Sequence, residues 1–78
     1  MRTIGGDQAG TGALPGYRLY NVGEGGRLRL GETFQAADDA QAVEKARLLR
    51  VSGEAAELWQ AGRIVGRFTK AGTYAPSR

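Results

Sequence analysis

The spacing of apolar residues along this chain changes period twice. Over residues 27–36 it alternates: Leu28, Leu30, Phe34 and Ala36 point one way, and Arg27, Arg29, Thr33 and Gln35 the other. Period-two patterning of this kind marks a strand with one buried face. After Asp38 the period lengthens. Ala42, Val43, Ala46 and Leu49 fall at i, i+1, i+4 and i+7, one stripe of a helix. Beyond Ser52–Gly53, short strand-like runs return. A single helical stripe can cover only one face of a sheet, so a chain with this pattern must leave the other face to solvent or to a partner.

The remaining elements follow from local chemistry. Residues 17–22 (Tyr-Arg-Leu-Tyr-Asn-Val) are rich in aromatic and aliphatic side chains and suit a short strand. Gly23-Glu24-Gly25-Gly26 supplies a turn in which positive φ costs little. Glu32 falls on the apolar side of the next strand with Gly31 beside it, which predicts a bulge or bend. Asp38 is placed to cap the helix, and Gln41 three residues on completes a capping-box spacing. Gly53 suits a left-handed helix stop. Ala55–Gln60 and Arg63–Phe68 flank Ala61–Gly62, a hairpin signal whose register two loop lengths can satisfy. The expectation adopted here turns Leu58, Ile64 and Phe68 toward the helix and Trp59 and Val65 away from it.

These elements predict an α+β fold of ββαββ order. Two β-hairpins are joined by one helix, and a four-stranded, mainly antiparallel sheet carries that helix on one face. The expected domain is residues 17–70. Five glycines and a proline within residues 5–16 make residues 1–16 a flexible arm. Residues 71–78 are expected to be a flexible tail. The Gly10, Gly12, Gly16 spacing superficially suggests a phosphate-cradling loop, but a strand-like run follows it where such a loop needs a helix.

At 78 residues the chain is near the lower limit for folding alone. It contains no Cys and no His, which removes thiol nucleophiles, histidine-based catalytic pairs, and zinc or haem sites built on those side chains. Asp38–Asp39 is the one adjacent acid pair, and helix capping accounts for it. The expectation is therefore no enzyme, no catalytic residue, no cofactor and no metal. The formal charge is +3, but over residues 17–68 eight basic residues face seven acids, so the excess is not concentrated in one groove. No apolar run is long enough to span a bilayer. Without cysteine or a signal-like leader, the expected setting is cytoplasmic with no membrane partner.

The pair Tyr17-x-Leu19-Tyr20 and Ala56-Glu57-Leu58-Trp59-Gln60-x-Gly62-Arg63-x-Val65-x-Arg67 resembles a group of short uncharacterised bacterial proteins. The resemblance covers about residues 17–68 and implies the same hairpin–helix–hairpin layout. It brings no activity or cofactor with it.

Two functional expectations follow. The first is a small non-enzymatic interaction module, a homodimer or a binder of another protein, meeting its partner through the uncovered sheet face or a strand edge. Tyr17, Tyr20, Trp59 and Val65 are its candidate contacts, since aromatic side chains bordered by arginine are typical of contact surfaces. The second, ranked below it, is a weak single-stranded nucleic-acid binder in which Arg27, Arg29, Arg63 and Arg67 form a stripe beside aromatic rings.

Overall fold

A computed structural model describes residues 14–77, and residues 1–13 and Arg78 lie outside the described residues. The N-terminal arm expected for residues 1–16 therefore falls almost wholly outside the description, apart from residues 14–16. In chain order the elements are β1 (Gly16–Val22), a single 3-10 turn (Glu24–Gly26), β2 (Leu28–Gln35), α1 (Asp39–Leu49), β3 (Ala55–Gln60), β4 (Arg63–Phe68) and β5 (Tyr74–Pro76). The five strands make one antiparallel sheet in the order β2-β1-β3-β4-β5. The α+β class with one helix and an antiparallel sheet is as predicted, and the ββαββ order is corrected to ββαβββ. The four-strand count is corrected to five, and residues 74–76 are a strand and not part of a flexible tail. Gly72, at φ 96°, turns the chain back, and Thr69 and Thr73 close the turn with two backbone-directed bonds (Thr69 N to Thr73 O, 2.9 Å; Thr73 N to Thr69 Oγ1, 3.0 Å).

Asp38 caps α1 as its sequence position requires. Its Oδ1 accepts from the Gln41 amide at 2.8 Å, while Gln41 Oε1 accepts from the Ala37 amide at 2.8 Å. The helix ends with the apolar stripe at Leu49, before the Ser52–Gly53 stop expected from the sequence. Arg50 is already extended at φ −67°, ψ 153°, and its guanidinium donates to the carbonyls of Val51 and Glu54 at 3.2 Å each. Leu49, expected on the buried stripe, is left 40% exposed. Gly53 takes the left-handed conformation at φ 84°, a few residues past the helix end.

Directly paired residues of antiparallel strands share a face, so the registers sort the sheet into two sides. Tyr17, Leu19, Ala56, Leu58, Val65 and Phe68 belong to one buried cluster with Ala42 and Ala46 of the helix. The two alanines carry no bulk that would hold α1 away from the sheet. Two bulges govern everything else. In β2 the register slips opposite Leu19/Tyr20, pairing Leu19 with Glu32 and Tyr20 with Leu30, so that Gly31 is the extra residue. The slip was expected, but its effect is larger than expected, because it places Leu28 and Leu30 on the face opposite Phe34. In the second hairpin the two-residue loop pairs Gln60 with Arg63 and Trp59 with Ile64, whereas Leu58 pairs with Gly66. Val65 is the extra residue there, and it turns inward.

Candidate protein-contact face

The face away from α1 is assembled from Arg18, Tyr20 and Val22 of β1, their β2 partners Thr33, Leu30 and Leu28, their β3 partners Trp59, Glu57 and Ala55, and Ile64 and Arg67 of β4. Tyr20 meets Trp59 edge-to-face, with ring centroids 6.4 Å apart and planes at 85°, a geometry aromatic pairs favour. Both rings are half-buried. Beside them Leu28 and Leu30 are 46% and 56% exposed. Glu57 lies in the middle of this surface with both carboxylate oxygens engaged. Trp59 Nε1 donates to Oε1 at 3.1 Å and Arg67 Nε to Oε2 at 3.3 Å. The one acid of the face is thus matched by a cation and held in place by the largest aromatic ring.

Of the four contact residues expected from the sequence, the structure puts Tyr20 and Trp59 on this face and removes the other two. Tyr17 is 2% exposed and Val65 6% exposed, both in the core beneath α1. Tyr17 alternates with Tyr20 across an odd spacing, so the two cannot share a side of one strand. Val65 is turned inward by the bulge, while Ile64, expected inward, faces out opposite Trp59. Leu28, Leu30 and Ile64 are residues of this face that sequence reasoning missed. The signal was present in the Gly31–Glu32 break, but an alternation read straight through that break assigns both leucines to the core.

The arginine stripe is not formed. Arg29 pairs in register with the buried Asn21 on the helix side, and its Nη2 donates to Glu54 at 2.8 Å. Arg63 also reaches to the helix side, giving Asp39 two bonds of 3.0 and 3.2 Å. Of the four, only Arg67 lies on the open face with Trp59, tied to Glu57, while Arg27 is exposed between the 3-10 turn and β2. Bulges divide the arginines between the two faces, and three of them are already matched by carboxylates.

At the helix N-terminus, Tyr17 Oη donates to Asp39 Oδ1 at 2.8 Å, beside the Arg63 fork. Hydrogen bonds from Arg63 first and Tyr17 second hold the Asp39 carboxyl below its ordinary range. Burial, followed by the hydrogen bond to Asp39, pushes the Tyr17 phenol up. This cluster fastens α1 to β1 and β4. Its carboxylate is already committed to two donors, which leaves it poorly placed to act as a base.

A shallow hollow of about 560 Å³ lies at the end of β1 and β2, lined by Gly16, Tyr17, Arg18, Thr33, Phe34, Gln35 and Ala61. One cation and hydroxyls are its reactive groups, with no carboxylate among them. Among the described residues, no group of three or more acids is placed to hold a metal ion, and no helix is long and apolar enough to cross a membrane. No protein-family model matches the chain, and neither curated proteins nor solved structures give a significant match.

Proposed function

We propose that this chain is a small non-enzymatic interaction module that self-associates by stacking the open face of its sheet on that of a second copy. The observation that carries this reading is the pair of leucines, Leu28 and Leu30, held outward by the Gly31 bulge next to the Tyr20–Trp59 pair. Together they form an apolar surface in which Glu57 and Arg67 are matched to each other and Arg18 adds a further cation beside Trp59. The edges are less suitable. A bulge interrupts β2, Lys45 Nζ donates to the Gln35 carbonyl at its end at 2.7 Å, and β5 is three residues long and ends on Pro76. Short strands, bulges, lysine and proline are the features that keep sheet edges from pairing. A cytoplasmic setting fits the cysteine-free composition.

The size of the face sets the strength. Five strands about 4.8 Å apart and about 20 Å long present roughly 500 Å². Two copies would bury about 1,000 Å², near the lower limit for a specific contact, so association in the micromolar range is expected. Sedimentation velocity from about 1 to 500 μM tests this. The wild-type chain should move from monomer to dimer across the range. Leu30→Lys, a change at an exposed position, should stay monomeric with an unchanged circular-dichroism spectrum. A wild-type chain that remains monomeric at the highest concentration overturns the reading.

A further inference from the structure

On the other side of the sheet, at its β4 edge, the chain carries a binding arrangement independent of the open face. β5 pairs with β4 through only three residues: Gly66 with Pro76, Arg67 with Ala75 and Phe68 with Tyr74. Ala75 and Pro76 are exposed and Tyr74 is half-buried, so one side chain supplies most of the contact. That side chain is seated in a slot. A Cβ at Gly66 would lie 2.1 Å from Tyr74 Oη and 2.4 Å from its Cζ, so the ring lies where any other residue would place its side chain. The ring packs against Phe68 with centroids 5.0 Å apart. Its hydroxyl donates to the Val65 carbonyl at 3.1 Å, and Ser77 N donates to the same oxygen at 3.0 Å. That carbonyl belongs to the bulge residue of β4.

We infer that the β4 edge is a strand-addition site for an extended, tyrosine-bearing segment of a partner protein, filled in cis by Tyr74–Pro76. Strand addition draws affinity from main-chain bonds and selectivity from pockets for particular side chains. Here the Gly66 gap takes the ring, Phe68 forms its wall, and the Val65 carbonyl reads the hydroxyl. The cis segment covers one margin of the core, at the Phe68 ring. The residues buried under α1 all precede Tyr74, which packs only at their margin. The turn before β5 is fixed separately, by its own threonine bonds and by Arg47 Nη1 donating to the Gly72 carbonyl at 3.3 Å. Departure of the segment therefore uncovers the Phe68 ring while the turn stays anchored. A cis segment of this kind acts at an effective concentration of about millimolar, so it masks the site until a better-fitting or more abundant segment displaces it.

The test uses the full chain and a fluorescent peptide of residues 71–77. With Tyr74→Ala, which empties the slot, the peptide should raise anisotropy at micromolar concentration. Binding to the wild-type chain should be at least about tenfold weaker because of cis competition. A peptide with alanine in place of its tyrosine should lose at least about tenfold in affinity. Unlabelled wild-type chain, added at matched concentration to Tyr74→Ala holding the labelled peptide, reports whether a second copy can supply the segment by displacing it. A folded Tyr74→Ala chain that does not bind the peptide overturns the inference, as does equal binding by both chains. If Tyr74→Ala does not fold, the wild-type chain is titrated with millimolar peptide and followed by amide NMR. Shifts confined to Val65, Gly66 and Phe68 support the site, and their absence overturns it. Leu30→Lys should leave peptide binding unchanged, which separates this site from the open face.

Discussion

Replacing Gly66 by alanine should destabilise the chain, and the sign of that effect should depend on Tyr74. The new methyl would occupy the space of the Tyr74 ring, with three of its atoms between 2.1 and 2.6 Å from the Cβ position. The ring must swing out. It then loses the bond to the Val65 carbonyl, worth about 1 kcal/mol net, and the pairing with Phe68, worth about 1 kcal/mol. Against this, alanine inside a strand is better than glycine by about 0.5–1 kcal/mol. Gly66→Ala should therefore cost about 1 kcal/mol in the wild-type chain. In a Tyr74→Ala background there is no ring to displace, and the same substitution should stabilise by about 0.5–1 kcal/mol. The coupling between the two positions is then about 2 kcal/mol. Urea unfolding followed through Trp59 fluorescence, at a concentration low enough to keep the chain monomeric, measures all four corners of the cycle. An equal cost for Gly66→Ala in both backgrounds would show that the ring does not occupy the glycine's space, and the slot argument would fail with it.

Other expectations are simpler. Ala61 holds φ 54° in the β3–β4 turn, a conformation that costs a side-chain-bearing residue about 1–2 kcal/mol, so Ala61→Gly should raise the melting temperature by about 4 °C. Leu58 is fully buried under the helix, and Leu58→Ala should cost about 2–5 kcal/mol in chemical unfolding. Asp39 titrates below its ordinary value when folded, so the unfolded chain binds the extra proton and the stabilisation is complete above the ordinary carboxylate range. It is lost as pH falls below about 4, and acid unfolding of Asp39→Asn should show a flatter limb there. Tyr17 titrates above its ordinary value of 10.0, so its contribution holds below that pH and fades above it. Tyr17→Phe should cost about 1 kcal/mol at neutral pH and blunt the alkaline loss measured by circular dichroism.

The pattern of elements was readable because it rests on local rules. The change of period at Asp38, the Asp38–Gln41 cap and the glycine turns each follow from a few adjacent residues. Which side each strand shows was not readable beyond the bulges, because one extra residue inverts every assignment on one side of it. Tyr20 and Trp59 share the open face because no irregularity interrupts the β1–β3 register that joins them, whereas Tyr17, named beside Tyr20, falls on the other side. Val65 was misplaced because its inward turn depends on how β4 slips against β3. β5 was missed for a related reason. Tyr74, Ala75 and Pro76 have no period of their own, and their strand exists because a glycine eight residues earlier in the chain leaves room for one ring.

The bulge in β2 also makes the character of the outer surface depend on whether one glycine joins the ladder. Pairing Gly31 into the ladder instead of bulging it out would rotate Leu28 and Leu30 inward while Arg29 came out. With the amino acids unchanged, an oily exterior would become a charged one. Deleting Gly31 would instead let the strand alternate regularly from Glu32 to Leu30 and keep both leucines outside.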